Sequence, residues 1–385
     1  QLMNLVYLDN AATTQVDPEV KEAMLPWLGG NYGNSSSVHE AGRKAKVLLE
    51  DTRDLFAEFI GARPSEIYFT SGGTEANNFA LKGSAFYNLG KKDHIITTAI
   101  EHSAVIDTVE YLKNRFGFKI TYLKVNRYGE IDLNELNDSL TDKTFLISVM
   151  HSNNELGIIN DITSAAKLLK DNDIMLHSDM VQSLGKVKFK INELGVNFAS
   201  FSGHKIYGPK GLGILYIKKD SPIDKFMHGG RQERDRRGGT ENIPAIAGFK
   251  KAIEILKMKM DTDIERSVDL RKILINEICS QFKEKIIINS ADENGMYLPN
   301  IVNISFNHKT AKIDPDTLLI KLDMKGIAVS SGSACTSGSV QPSHVLKAIG
   351  YDDDTARSSI RISFGRFNNE SDIEVLVKGL SEILV

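Results

Sequence analysis

Short apolar runs alternate with longer segments of helical periodicity through the first 217 residues of the chain. Seven of these runs have the β-branched and apolar content of strands, at residues 67–70, 94–98, 119–125, 144–150, 174–177, 198–201 and 213–217. Helical patterns lie between several of them, for example at residues 161–171. This alternation predicts an α/β protein whose mostly parallel sheet is covered by helices on both faces, with functional residues at the carboxyl ends of the strands.

The pattern changes beyond residue 217. Residues 228–240 are rich in Gly and Arg and lack apolar periodicity, whereas residues 244–260 have the pattern of a long helix. A further helix begins near residue 261, and strand patterns follow at 285–288, 301–306 and 359–364. We therefore expect a second, smaller α/β domain in the C-terminal part of the chain.

Composition narrows the class of protein. The 385 residues contain 47 Lys plus Arg and 50 Asp plus Glu, a net charge of −3, which excludes nucleic-acid binding driven by bulk positive charge. The two cysteines, Cys279 and Cys335, form no CxxC pair, so we predict no metal site, no disulfide framework and a reducing compartment. No run approaches the roughly 20 apolar residues that a membrane span needs, and no signal peptide is evident. We expect a cytoplasmic enzyme.

The most informative segment is residues 198–213, in which Lys205 lies in a turn between two predicted strands. Burial of a lysine lowers its pKa and frees its amine to attack a carbonyl group, which a Schiff base with pyridoxal 5'-phosphate (PLP) requires. The glycine patterns of nucleotide-binding loops are absent. Taken alone, Lys205 is more typical of an exposed loop lysine, so the prediction depends on other segments.

A second segment, residues 68–78, predicts a phosphate site. A strand ends there, two glycines turn the chain, and a helix begins near Thr74. The free amides of a helix N-terminus and a hydroxyl group suit a phosphate, and Ser202 and His204 could supply further donors. An ordinary capped helix after a tight turn is the alternative.

Two further strand ends carry candidate groups. Asp179 follows an apolar strand, where its carboxylate could keep a pyridine nitrogen protonated, and Gln182 could donate a hydrogen bond to a ring hydroxyl. His102 follows another strand, where its ring could stack on a planar cofactor and move protons. The alternatives are a solvated capping aspartate and an ordinary loop histidine.

Taken together, these segments resemble the PLP-dependent cysteine desulfurases of the NifS/IscS type, in the class V aminotransferase superfamily. The resemblance covers essentially the whole chain, and the order of its lysine and cysteine motifs is specific. Its motifs are 7–14 (YLDNAATT), 32–34 (YGN), 71–74 (SGGT), 101–102 (EH), 150–155 (MHSNNE), 202–205 (SGHK), 330–336 (SSGSACT) and 358–366 (SSIRISFGR).

The resemblance implies a type I PLP-dependent transferase fold. Its large domain would span residues 15–258, and its small domain would combine residues 1–14 with 259–385 and carry a cysteine loop at 328–340. Lys205 would bind PLP, and His102 would act as acid and base. The other cofactor-binding residues would be Gly73, Thr74, Asn154, Asp179, Gln182, Ser202, His204 and, from the neighbouring subunit, Thr240. Asn34, Asn154 and Arg361 would bind the substrate carboxylate.

The implied activity is conversion of L-cysteine to L-alanine, with the sulfur left as a persulfide on Cys335. A homodimer would pass this sulfur to an iron–sulfur scaffold protein or a tRNA-thiolation enzyme, without binding nucleic acid or membrane itself. An aminotransferase or lyase acting on another amino acid, and a non-catalytic scaffold, are the competing interpretations. Arg361 could instead form a structural ion pair, and the helical pattern around Cys279 predicts a buried thiol.

Overall fold

The computed structural model describes residues 5–170, 172–290, 296–311, 313–332 and 341–384. Strands within these ranges are β1 (Val6–Tyr7), β2 (Ile67–Thr70), β3 (His94–Thr98), β4 (Lys119–Leu123), β5 (Thr144–Ser148), β6 (Met175–Asp179), β7 (Phe198–Ser202), β8 (Gly213–Ile217), β9 (Ile286–Ile288), β10 (Ile301–Phe306), β11 (Ile327–Ala328) and β12 (Ser359–Ser363). The helices are α1 (Pro18–Leu28), α2 (Glu40–Ile60), α3 (Gly73–Asn88), α4 (Ser103–Phe116), α5 (Leu133–Asp138), α6 (Ile162–Leu168), α7 (Ile191–Leu194), α8 (Ile243–Phe282), α9 (Pro315–Asp323), α10 (His344–Ala348), α11 (Asp353–Arg357) and α12 (Glu370–Ile383).

Seven strands form the main sheet, in the order β2-β8-β7-β6-β5-β3-β4. Strand β8 runs antiparallel to both of its neighbours, and the remaining pairs are parallel. Every residue of β3, β5, β6 and β7 is buried, because helices cover both faces of a sheet whose strands are almost entirely apolar or small. The predicted α/β fold with a mostly parallel sheet is therefore confirmed.

Helix α8 continues without interruption for 40 residues, so the predicted end near residue 260 and the second helix from 261 are wrong. Its second half contains no Gly or Pro that would end it, and Pro244 stands in the first turn, where proline is tolerated. The N-terminal half packs into the core of the main sheet, and the C-terminal half packs into a separate core. The domain boundary proposed at residue 258 would thus lie inside this helix.

The separate core combines both ends of the chain. Val6 and Leu8 pack there with apolar residues from the second half of α8 and from β10, β12 and α12. Its antiparallel sheet has the order β12-β10-β9, and β1 pairs in parallel with β11. In the described residues, no helix has both the length and the apolar character that crossing a membrane requires.

Cys279 is exposed on α8, so the prediction of a buried thiol is wrong. Its neighbours Leu274 and Ile278 are buried and are four residues apart, which places them on one face of the helix. The residue after Ile278 turns about 100° away from that face, toward solvent. The apolar pattern identifies the helix correctly, but the buried face includes Ile278 and not the residue that follows it.

Candidate active site

A cavity of about 320 Å³ lies at the carboxyl ends of the main-sheet strands. Its walls come from the segments that follow β2, β3, β5, β6 and β7, from β12, and from the N-terminal segment. The residues lining it are Ala11, Ala12, Gly73, Thr74, Asn77, His102, Met150, Asn154, Asp179, Val181, Gln182, Ser202, His204, Lys205 and Arg361. The structure thus brings together ten of the residues that the sequence singles out.

Lys205 ends a short 3-10 turn that follows β7. Its Nζ atom donates hydrogen bonds to the carbonyl oxygens of Ala11 and Ala12, at 2.5 and 2.6 Å. Burial, followed by the positive charges of Arg361 and Lys186, lowers the pKa of Lys205 to about 7. Much of this amine is therefore neutral near physiological pH, and a neutral amine is the form that attacks a carbonyl group.

Helix α3 begins at Gly73, and its first two residues line the cavity, so the free amides of its first turn lie at the cavity wall. A Cβ atom on Gly73 would lie 2.7 Å from Val181 Cγ2, so the absence of a side chain keeps this approach open. Thr74 and the buried Ser202 lie in the same wall. Amides of a helix N-terminus with nearby hydroxyl groups form a setting suited to a phosphate group.

His204 adds an uncharged polar group to this wall. Its Nδ1 atom lies 3.0 Å from Thr13 Oγ1. Burial, assisted by the positive charge of Lys205, lowers the pKa of His204 to about 4. The ring is therefore neutral at physiological pH and can contribute a hydrogen bond rather than a charge.

Asp179 is the last residue of β6 and is buried. One carboxylate oxygen accepts a hydrogen bond from Asn77 Nδ2 at 2.7 Å, and the other accepts from the Val181 amide at 3.0 Å. Gln182 Nε2 donates to the Ala11 carbonyl oxygen at 2.9 Å, and its Oε1 is buried without a hydrogen-bond partner among the described residues. These groups fix the carboxylate at the cavity wall and leave polar atoms for a ligand.

His102 caps helix α4 and is exposed at the cavity wall. Its Nδ1 atom accepts a hydrogen bond from the Ala104 amide at 3.1 Å. This bond requires an unprotonated Nδ1, so the proton of the neutral ring resides on Nε2. The cap thereby selects one tautomer and leaves Nε2 available for proton transfer.

Arg361 lies in the middle of β12 and forms an ion pair with Asp9, in which Nη2 and Oδ1 are 2.9 Å apart. Its Nη1 atom donates to the Asn154 carbonyl oxygen at 2.9 Å. The structural ion pair considered above is therefore present. A guanidinium group carries five N–H donors, so donors remain for a carboxylate, including a buried Nε without a partner among the described residues.

Three of the predicted site residues are not in this cavity. Asn34 and Thr240 are exposed and lie outside its walls. Their segments adjoin each other, because Ser35 Oγ donates to Glu241 Oε2 at 2.7 Å. Cys335 lies outside the described residues.

Sequence reasoning missed Asn77, Asp9 and the carbonyl groups of Ala11 and Ala12. Asn77 stands three residues after Thr74, which places both on one side of α3, and this spacing could have indicated it. Asp9 belongs to the N-terminal motif, but nothing in the sequence pairs it with Arg361. Backbone carbonyl groups carry no residue-type signal at all.

The cavity residues fit PLP. A partly buried amine, a carboxylate at a strand end and a helix N-terminus with hydroxyl groups correspond to its aldehyde, pyridine nitrogen and phosphate. The buried, unpartnered Gln182 Oε1 is the kind of orphaned polar atom that a ligand would pair. The residue types present therefore meet each recognition requirement of this cofactor.

Comparison with known proteins agrees with this assignment. The sequence profile of the family described as "Aminotransferase class-V" matches residues 6–376. "Cysteine desulfurase IscS" from Dictyoglomus turgidum is 44% identical over 379 residues, which are 98% of this chain and 94% of the relative. The solved structure of a "NIFS-LIKE PROTEIN" has 38% identity and a TM-score of 0.91, and the alignment covers 99% of both chains. "SspA in complex with cysteine" has 34% identity and a TM-score of 0.82, over 94% of this chain and 99% of that one.

Proposed function

The chain belongs to the class V aminotransferase family, and on that premise we propose that it is a PLP-dependent cysteine desulfurase. It converts L-cysteine to L-alanine and carries the released sulfur as a persulfide on Cys335. The observation that carries this proposal is the partly buried amine of Lys205, whose pKa is lowered to about 7, in one cavity with Asp179 and Arg361. Relatives of nearly the same length are named cysteine desulfurases.

Residues of the cavity are available to bind each part of PLP. The amides at the start of α3, with Thr74, Ser202 and His204, would hold the phosphate. Asp179, supported by Asn77, would hold the proton of the pyridine nitrogen, and Gln182 would bind the ring oxygen. PLP would be held through Lys205 at rest. Joined to the substrate amine in place of Lys205, it would supply an electron-poor ring that stabilises negative charge at the substrate α-carbon and would leave the Lys205 amine free.

The remaining chemistry rests on side chains of this protein. Arg361, with Asn154, binds the substrate carboxylate and thereby orients the α-proton toward Lys205 Nζ. The Cys335 thiolate attacks the substrate sulfur, so that an S–S bond forms as the Cβ–S bond breaks. The carbon fragment takes up a proton in place of sulfur and leaves as alanine. His102 Nε2 is the group proposed to move protons during this exchange.

The adjoining Asn34 and Thr240 segments support a homodimer in which each subunit completes the site of its partner. Both residues are exposed, and exposed apolar side chains accompany them, with Tyr32 86% and Val38 88% exposed. Apolar surface of this kind favours association. An iron–sulfur scaffold protein or a tRNA-thiolation enzyme is the proposed sulfur acceptor. A cytoplasmic location fits because Cys335 has to return to a free thiol after each turnover.

Two substitutions test the activity. With L-cysteine and a reductant, the parent protein should release sulfide and alanine. Cys335→Ala should keep the absorbance of bound PLP and lose sulfide release, whereas Lys205→Ala should lose the absorbance of the covalent cofactor. Cys279→Ala is the matched control, because this exposed thiol lies on α8 and outside the cavity.

Other outcomes would contradict the proposal. If Cys335→Ala released sulfide at the parent rate, the persulfide role would be wrong. If that variant only exchanged amino groups between amino acids and keto acids, as the parent did, the aminotransferase interpretation would replace this one. A parent protein that bound no PLP would favour the non-catalytic scaffold.

A further inference from the structure

A buried glutamate outside the cavity lining contacts chain on both sides of Cys335. Glu155 follows Asn154 and is 3% exposed. Its Oε2 atom accepts a hydrogen bond from Ser343 Oγ at 2.5 Å. A Cβ atom on Gly332 would overlap the same Oε2 atom, so the glycine backbone packs directly against the carboxylate. One carboxylate oxygen therefore touches residues 332 and 343, which bracket the stretch that contains Cys335.

Ser343 links the Glu155 carboxylate to helix α10. Its Oγ atom donates to Glu155 and accepts from the Leu346 amide at 3.2 Å, so the hydroxyl group caps α10 while bound to the carboxylate. The adjacent His344 contacts the Glu101 carbonyl oxygen through Nε2, at 2.9 Å. The chain after the Cys335 stretch is thus hydrogen-bonded to Glu155 and Glu101. These two residues adjoin Asn154 and His102 in the sequence.

The chain before that stretch is held to a third site residue. The backbones of Ser330 and Arg361 exchange hydrogen bonds, at 3.3 Å from Ser330 N and 2.6 Å from Arg361 N. Gly332 then reaches the Glu155 carboxylate two residues later. Both ends are therefore attached to segments that carry substrate-binding or proton-transferring groups.

Burial of Glu155 is energetically unfavourable and calls for a reason. Burial raises the pKa of its carboxyl group to about 7, although the Ser343 hydrogen bond and the charge of Arg361 act in the opposite direction. An apolar side chain of similar size would fill this space without that desolvation cost. Such a side chain could not accept the hydrogen bond from Ser343 Oγ, so this contact supplies the reason.

We propose that Glu155 is a positioning residue for sulfur transfer, which sets the relative placement of residues 332 and 343 and, through them, the reach of Cys335 into the cavity. This inference rests on the proposed function. Glu155 does not line the cavity, so it acts through the two chain ends and not on the substrate. Small displacements of a reacting group can reduce a rate by about 100-fold.

The test separates the two halves of the reaction in the PLP-bound enzyme. Exchange of the α-proton of L-alanine with D₂O, followed by NMR, reports on Lys205 and does not need Cys335. Persulfide formation on Cys335 after one addition of L-cysteine, followed by mass spectrometry, reports on sulfur transfer. We expect Glu155→Ala to slow persulfide formation at least tenfold and to leave alanine exchange within twofold of the parent.

Two further variants identify the contact responsible. Glu155→Gln keeps an acceptor oxygen for Ser343 and should keep persulfide formation within threefold of the parent. Gly332→Ala should slow persulfide formation as Glu155→Ala does, and it should add little in the Glu155→Ala background, where the overlapping oxygen is gone. Glu66→Gln, at a buried glutamate remote from the cavity, is the matched control.

The outcomes distinguish this inference from the function on which it rests. If Glu155→Ala reduced alanine exchange and persulfide formation equally, Glu155 would only support the fold of the site, and the positioning role would be wrong. Parent-like persulfide formation in Glu155→Ala would also overturn it. A parent enzyme that exchanged the alanine proton but formed no persulfide would instead refute the desulfurase activity.

Discussion

Lys205 should lose its proton near pH 7, so the cofactor-free protein should capture PLP at a rate that levels off within the physiological pH range. Burial and the charges of Arg361 and Lys186 favour the neutral amine. At pH 8, a pKa of about 7 leaves ~90% of this amine neutral, whereas an ordinary lysine has only ~0.3% in that form. The reactive fraction is therefore ~300-fold greater than that of an unperturbed lysine.

Stopped-flow absorbance between pH 6 and 9 measures this difference. Nα-acetyl-lysine amide serves as the reference amine, because dividing by its rate constant removes the titration of PLP itself. The ratio of the protein's rate constant to that of the reference amine should be nearly constant below pH 7. Above pH 7 this divided rate should fall about tenfold per pH unit, since only the reference amine continues to deprotonate. Lys205→Ala should show no capture.

Removing the positive charge of Arg361 tests its effect on the pKa of Lys205. Arg361→Met should move the Lys205 midpoint to higher pH, because it removes a positive charge and leaves the Asp9 carboxylate, which favours the protonated amine. Lys210→Ala, at an exposed lysine in the following loop, should leave the midpoint in place. A divided rate that stayed constant from pH 6 to 9 would refute this account of the site.

Two predictions concern groups away from the reacting amine. Arg53 and Glu233 form a doubly hydrogen-bonded pair, with both contacts at 2.9 Å and both side chains 2% exposed, so Glu233→Ala should cost about 3–5 kcal/mol in urea unfolding. Adding Arg53→Met should recover part of this loss, and strictly additive costs would contradict the coupling. Burial raises the pKa of Glu101 to about 8, so its contribution to stability is complete below its ordinary value of 4.5 and is lost as the pH rises through 8. Glu101→Gln should therefore gain thermal stability relative to the parent between pH 5 and pH 8, and an unchanged difference would contradict a protonated Glu101.

Much of the fold and part of the site follow from local pattern. The predicted bounds of strand β6 agree with the structure to within two residues. A buried parallel strand is an unbroken run of apolar or small residues, and this run ends at Asp179, which lines the cavity. Lys205, His102 and Thr74 were found for the same reason, since each stands just beyond a strand end or at a helix start. The exposed Cys279 shows the limit, because a helical pattern locates a face only to within one residue.

The sequence by itself determined the alternation of strands and helices, the edge of the sheet that carries the chemistry, and the residue types that gather there. Only the tertiary structure decided which groups meet. Lys205 reaches the Ala11 carbonyl across 194 positions, and Arg361 reaches Asp9 across 352. Periodicity reports on neighbours three or four positions apart, whereas these contacts are set by how whole elements pack. Burial and charge after packing also set the pKa of Lys205, so its reactivity is a property of the folded chain.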